Sequence, residues 1–426
     1  MELFKNKQFV KLFCGSFLSQ MGSIIGNAAI AFYLLDVFTS QPGLATLAEL
    51  MYALPTIFVF LFVGVIADKL DRKKIAIYSD WIRAGLTALL IAAVMMNWLF
   101  LVFVLLFVRA GISKFFMPAE IGMVQGVVSK EAYQQAAGLN QMVYSIFMIF
   151  GVGLGALAYR TIGIQGALVI DGLSFIASAF FIQTCNVPLE ARQPNGKYKL
   201  KDISFRSSWE DFKSGVSYVW NNKLLLSILS GFFLFGLING AFAVLPMFTM
   251  KYKLAPEQFE WYAALFSICL GVGIFIGSMV TAVFMKKVKP YQIIIASLFI
   301  TTILVVFLAL SSEIWVYLCF AFGLGFILAP MNIAISGWIL SLVESTHIGR
   351  VEGLIDPSLM LSQSIMLGAI AVAFPNIISS VDVIYFVLAA LFLVVSLYYA
   401  IKLPSLVRNN EESKTEEIEG QTALEG

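Results

Sequence analysis

The chain has 426 residues, 60% of them hydrophobic and 13% charged, with a net charge of +2 and a mean hydropathy of +0.88. Soluble domains run near half apolar and a quarter charged, so this composition excludes a protein solvated on all sides. A bilayer core about 30 Å thick takes roughly 20 apolar residues per helix, and twelve such segments can be marked out.

The predicted spans are 9–35, 43–67, 75–97, 98–125, 134–160, 164–186, 224–250, 257–285, 291–311, 314–342, 349–375 and 382–402. The first is too long for the core of a signal peptide and has no small-residue cleavage site, so it is expected to stay in the protein. Asp36 lies near its outer end, and the second span carries Glu49. Between the second and third spans runs Gly64-Val-Ile-Ala-Asp68-Lys-Leu-Asp71-Arg72-Lys-Lys74, a polar turn with room only for a hairpin. The third span holds Asp80 and Arg83, the fourth Arg109 near half depth, and the sixth Asp171. A charge at mid-membrane costs about 3 kcal/mol on insertion scales, so each of these groups calls for a partner or a task. Asp80 is expected to pair with Arg83 or with the basic turn at Arg72.

The fifth span contains Gly151, Gly153 and Gly155, and the eighth Gly271, Gly273 and Gly277. Small residues at this spacing let helices approach closely. They do not read as a dinucleotide fingerprint, because no strand precedes them. A polar linker, 187–223, separates the two halves, and its end, Ser208 to Asn221, reads as an amphipathic helix. It is expected to lie in the inner membrane interface or on the underside of the bundle. Residues 404–426 are acidic and polar and are expected to be disordered.

The two halves repeat. Gly64 with Lys73-Lys74 aligns with Gly277 and Lys286-Lys287, Pro118 with Pro330, and Gly138-Leu139 with Gly353-Leu354. The expected organisation is a six-helix bundle over 1–186, the linker, a second six-helix bundle over 224–403, and the tail. In the second copy Thr281 replaces Asp68 and Met285 replaces Arg72, so the polar turn belongs to the first half.

Basic residues mark the orientation. Outer loops hold Arg160, Lys251 and Lys253; Arg83, Arg109 and Lys114 fall within spans; the remaining Lys and Arg lie on the opposite side. Both termini are therefore expected in the cytoplasm. Four cysteines are scattered among apolar spans and His347 is the single histidine, so neither a disulfide framework nor a metal site is expected. No Gly-x-x-x-x-Gly-Lys-Ser/Thr occurs, and no catalytic constellation is visible. The expectation is a non-enzyme with no cofactor and no nucleic-acid partner, acting as a monomer in the lipid bilayer.

The 64–74 turn resembles the loop between helices two and three of the major facilitator superfamily, Gly-x-x-x-Asp-Arg/Lys-x-Gly-Arg-Arg/Lys-Arg/Lys. Gly64, Asp68, Lys69, Arg72, Lys73 and Lys74 match, while Asp71 stands where the second glycine is usual. Leu105 to Gly111 resembles the family's arginine motif, with Ser113 at the usual downstream glycine. Gly151-Val152 stands where the antiporter motif has Gly-Pro. Asp71 to Ile75 with Asp80, Leu106 to Arg109, Phe116 to Ala119, Ala137-Gly138, Ile170-Asp171 and Gly349 to Val351 resemble the macrolide-efflux-like drug exporters of bacteria.

The resemblance implies an all-α major facilitator fold in the bacterial cell membrane, alternating access, and efflux of a small amphiphile by proton antiport, as in antibiotic resistance. Arg109 would tune a proton-carrying acid. Glu49 and Asp171 lead that set, with Asp80 and Asp36 behind them. Gly64, Asp68 and Arg72, with Arg350 and Glu352 at the start of the eleventh span, would form a conformational gate. Gly151, Gly155 and Gly277 would serve helix packing. The rival readings are a carrier of one endogenous amphiphile (a lysophospholipid, siderophore or peptide antibiotic) and a non-transporting membrane sensor.

Overall fold

The computed structural model describes residues 3–129, 133–193, 209, 213, 216–284, 288–342 and 348–425. Among these the chain is helical, with no strand. The helices are α1 (Lys7–Val37), α2 (Gly43–Lys69), α3 (Arg72–Met95), α4 (Leu99–Ser113), α5 (Phe116–Val127), α6 (Tyr133–Gln183), α7 (Leu189–Arg192), α8 (Lys223–Thr249), α9 (Phe259–Phe284), α10 (Pro290–Leu310), α11 (Ile314–Leu342), α12 (Ile348–Ala373) and α13 (Val381–Glu425).

Ten helical stretches among the described residues are long and apolar enough to cross a bilayer, and Pro357–Ala373 is a shorter apolar helix. Two of the predicted spans share α6, which is broken at Gly163 with φ 69°. With ψ 178° this is a region essentially reserved for glycine, costing another residue about 1–3 kcal/mol, so the break falls where the sequence supplies Gly. The fourth predicted span is α4 and α5 together, interrupted at Lys114 and Phe115. Pro55, Pro246, Pro330 and Pro357 lie inside helices. A helix bundle in lipid tolerates them, because neighbouring groups satisfy the freed carbonyls.

Beyond Pro404, over the stretch expected from sequence to be disordered, α13 continues as helix to Glu425. Glu supplies six of the 21 residues from 405 to 425 and is a strong helix former. In the linker, Trp209, Lys213 and Val216 to Asn221 are helical, with Val219 buried and Trp220 71% exposed. The rest of 194–215 lies outside the described residues.

Contacts divide the chain into two compact units. The first comprises Met1–Trp209, Phe242–Ile268 and Gln363–Ser379; the second comprises Glu210–Ala241, Cys269–Ser362 and Ser380–Gly426. In the first unit, Phe9, Leu12, Ala76, Phe116, Met123 and Ile182 join α1, α3, α5 and α6 in one apolar cluster. Close helix approach supports it. A Cβ on Gly151 would stand 2.3 Å from Ile24, and one on Gly155 would stand 2.4 Å from Ala28. In the second unit, a Cβ on Gly277 would meet the Phe326 carbonyl at 2.3 Å. There the Tyr317 and Tyr385 hydroxyls pair at 2.6 Å, and the Tyr399 hydroxyl donates to the Ile228 carbonyl at 3.0 Å.

Large apolar side chains such as Phe100, Trp315, Val372 and Ile401 stand exposed on the helices. Water would penalise so much uncovered apolar surface, whereas lipid tails are as apolar as these side chains.

Buried charge pairs and a polar cavity in the first unit

Two arginine–aspartate pairs lie inside the first unit. Asp80 and Arg83, one turn apart on α3, form an ion pair. Ser19 of α1 joins them: its Oγ donates to Asp80 Oδ1 at 3.1 Å and accepts from Arg83 Nη2 at 2.7 Å. The guanidinium carbon of Arg83 sits 4.3 Å from the Phe175 ring centroid and 5.2 Å from that of Phe116. Cation–π attraction there offsets part of the lost hydration. The structure thus places Asp80 with Arg83, not with the basic turn.

The second pair links Arg109 of α4 to Asp171 of α6. Arg109 also donates to Thr87 Oγ1 of α3 at 3.1 Å and to Asn27 Oδ1 of α1. Thr87 Oγ1 donates to Asp171 Oδ2 at 3.4 Å. Four helices therefore meet on one guanidinium. Asp171 has no exposed surface and Arg109 only 4%. Such a pair holds only because each charge has the other and further hydrogen bonds. One carboxylate oxygen of each aspartate, Asp80 Oδ2 and Asp171 Oδ1, has no close hydrogen-bond partner among the described residues.

Both pairs border a cavity of about 130 Å³ lined by Ser23, Asn27, Tyr52, Arg83, Arg109, Ala110, Ser113, Lys114 and Phe175. Glu49 lies one turn before Tyr52 on α2, half-buried, with no ion-pair partner among the described residues. Spacing of three residues puts both side chains on one helix face.

Asp36 stands apart from these pairs. Its side chain is 47% exposed at the end of α1 and lies 3.5 Å from Lys251 Nζ. The Tyr159 hydroxyl donates to it at 2.9 Å. Lys251 also lies over the Phe259 ring at 4.2 Å, and the Tyr252 hydroxyl donates to the Thr39 carbonyl at 3.0 Å.

The basic turn packs on neighbouring helices of the same unit. Arg72 Nη1 donates to the Ala191 carbonyl at 3.4 Å, and Lys73 Nζ to the Gln183 and Cys185 carbonyls at 2.8 Å each. The side chains of Gly64, Asp68, Arg350 and Glu352, and all of His347, lie outside the described residues. The unusual Asp71 caps α3, accepting from the amides of Lys73 at 3.1 Å and Lys74 at 3.3 Å, and pairs with Arg192.

Burial raises the Asp71 carboxyl pKa. The Arg192 hydrogen bond, the Lys74 amide, the Arg192 charge and the Lys73 amide outweigh it and hold the group below its ordinary 3.8. A depressed carboxylate contributes stability that is present above its unfolded value and lost as pH falls through the folded one. Asn caps a helix as well as Asp, so Asp71→Asn removes the charge and keeps the cap. Arg192 is partly exposed, so the expected loss is about 0.5–1 kcal/mol at pH 7. Denaturant unfolding against pH checks this: the gap between wild type and Asp71→Asn should close below pH 3.8. A gap that persists in acid would remove the ion pair as its cause.

Three participants were not singled out by the sequence: Asn27, Thr87 and Ser19, short polar residues whose role depends on which helix faces them. Glu120 on α5, 2% exposed, also lies outside the acids singled out from sequence. Its position beside Pro118 in an apolar run was the available signal. Among the described residues no three His, Cys, Asp or Glu gather as metal ligands.

Long apolar helices, one of them broken at Gly163, that enclose charge pairs round a polar cavity define a polytopic membrane protein. The chain belongs to the major facilitator superfamily, whose model matches residues 12–366. It is 50% identical over 404 residues to the MFS-type transporter YkuC of Bacillus subtilis (strain 168), covering 95% of this chain and 94% of that one. Macrolide efflux protein A of Streptococcus pyogenes is 26% identical over 298 residues, 68% of this chain and 70% of its own. The crystal structure of the POT family transporter PepTSo superposes with a TM-score of 0.73 at 13% identity, covering 95% of this chain and 99% of that one. At that identity the likeness speaks for the fold alone. The protein is a multi-pass transporter of the bacterial cell membrane with efflux-type relatives, in a family whose members are generally not enzymes.

Proposed function

We propose that the protein exports hydrophobic or amphiphilic compounds in exchange for protons by alternating access, with both termini in the cytoplasm. The observation that carries the proposal is the Arg109–Asp171 pair, fully buried and tied to Asn27 and Thr87. A charge kept inside a membrane bundle marks an ion pathway by default. Protonation of Asp171 would cancel its attraction for Arg109 and free the guanidinium, so proton binding would change what joins four helices. Glu49, half-buried and one turn from Tyr52, is the second carrier in this reading, and Asp80 belongs to the neighbouring pair.

The gate roles follow position. Gly64, Asp68 and Arg72, with Arg350 and Glu352, would close the cytoplasmic end. Asp36, Tyr159 and Lys251 would form a contact at the opposite end that breaks when that end opens. Gly151, Gly155 and Gly277 would hold helices close through the cycle, and the protein would act as a monomer.

Purified protein in proteoliposomes tests the proposal, with labelled macrolide and dye substrates followed with and without an imposed pH difference. Accumulation against a gradient, accompanied by proton movement, is the expected result. Substrate flux indifferent to the pH difference would remove proton coupling. No flux with any compound would favour the sensor reading.

A further inference from the structure

Another cavity lies in the first unit, at the end of the helices opposite the basic turn, between α6 and the first turns of α9. Deeper in, these two helices touch: a Cβ on Gly153 would stand 3.6 Å from that of Ala264. Toward the break at Gly163 and the start of α9 they part. The space between them, about 300 Å³, is lined by Ala156, Leu157, Arg160, Gln258, Glu260 and Trp261. Span ends lie at the depth of lipid head groups, the level at which tryptophan is enriched in membrane proteins. Leu157 and Trp261 are 51% and 54% exposed and offer apolar surface beside the charges.

The neighbouring charges are already engaged. Lys251 lies 3.5 Å from Asp36 and over the Phe259 ring. Arg160 and Glu260 feel each other's charge, yet neither is in an ion pair among the described residues. The wall therefore presents a cation, a carboxylate and an amide around an open volume, with no net charge.

We propose that this cavity holds the head group of a zwitterionic phospholipid with a primary ammonium, a phosphatidylethanolamine. The Arg160 guanidinium is a planar fork of donors that matches phosphate oxygens. The ammonium N–H groups would be accepted by the Glu260 carboxylate and the Gln258 side-chain carbonyl. The acyl chains would leave the cavity along Leu157 and Trp261. A choline head group carries the same charges but has no N–H to donate, and a glycerol head group brings an anion with no cation for Glu260. The volume stands at the low end of the range for small-ligand pockets, which suits a head group. The proposal is independent of what the protein carries. A lipid seated here would join α6 to α9 beside the Asp36–Lys251 contact. Tyr159, which donates to Asp36, directly precedes Arg160, and Phe259, under Lys251, directly precedes Glu260.

The full-length protein in phosphatidylcholine nanodiscs provides the test. Phosphatidylethanolamine, phosphatidylglycerol or phosphatidylcholine with brominated acyl chains is added in steps, and quenching of tryptophan fluorescence is followed. The chain has seven tryptophans, so the Trp261 signal is taken as the difference made by Trp261→Phe in each background. Half-quenching should come at about threefold to tenfold less brominated ethanolamine lipid than choline or glycerol lipid, the size of one charge-assisted hydrogen bond. Glu260→Gln should erase the preference over choline lipid, and Arg160→Gln should bring the ethanolamine lipid to the choline value. Arg160 is exposed and Glu260 half-buried, so both variants should fold, which the thermal midpoint checks.

Equal quenching by the three lipids, or an ethanolamine preference that survives both variants, would overturn the site. Stronger quenching by the glycerol lipid would overturn the assignment to a zwitterion. Relief of the quenching by free phosphoethanolamine would overturn the assignment to a lipid.

Discussion

Asp171→Asn is expected to abolish the substrate gradient that a pH difference sustains, while exchange of labelled for unlabelled substrate continues. One proton entering down 100 mV supplies about 2.3 kcal/mol. At one-to-one stoichiometry that supports roughly a fifty-fold substrate gradient. Asparagine keeps the shape of the side chain and can still accept from Arg109 and Thr87 through its carbonyl oxygen, but it cannot take up and release a proton. Steady-state accumulation should therefore fall from tens-fold to unity, whereas counterflow, which needs no net proton, should survive. Glu49→Gln is the companion variant. If both variants and the double variant sustain the full wild-type gradient, neither acid carries the proton.

Arg109→Leu is expected to be the most destabilising single change in the first unit. It leaves Asp171, which has no exposed surface, as a buried charge without its ion-pair partner. Breaking a buried pair from one side costs about 3–5 kcal/mol, whereas replacing both members with apolar residues is often neutral. The double variant Arg109→Leu/Asp171→Leu should thus recover most of the lost stability while transporting nothing against a gradient. Chemical unfolding in nanodiscs measures the cycle. A single variant within about 0.5 kcal/mol of wild type would mean that surrounding polar groups, not the pair, compensate Asp171.

The helical class, the long apolar spans and the polar turn could be read from sequence for one reason. Lipid forces every backbone polar group into internal hydrogen bonds and demands long apolar runs. The break at Gly163 between two of these spans came from the structure, where its φ of 69° is one few other residues adopt. Low hydrophobicity in the tail signals the absence of a core, not the absence of helix, and α13 continues as helix through it to Glu425. Asp71 looked like a departure from the family's glycine. It is explained by a cap and by Arg192, a residue 121 positions away.

The site was only half legible. Arg109 and Asp171 announced themselves as charges inside apolar runs, and each implied a partner. Which partner each took was not visible. Asp80 and Arg83 are three residues apart on one helix, so their pairing follows from helical geometry. Asp36 carried the same chemical label as the buried acids, yet it stands 47% exposed beside Lys251. The sequence by itself determined a polytopic helical transporter and the residues that must be compensated inside it, because hydropathy and charge are local properties. Only the tertiary structure decided that Arg109 joins α1, α3, α4 and α6, and that arginines face the cavity while their aspartates do not. Pairing across 62 residues is set by how helices rotate and pack against one another, which no local pattern records.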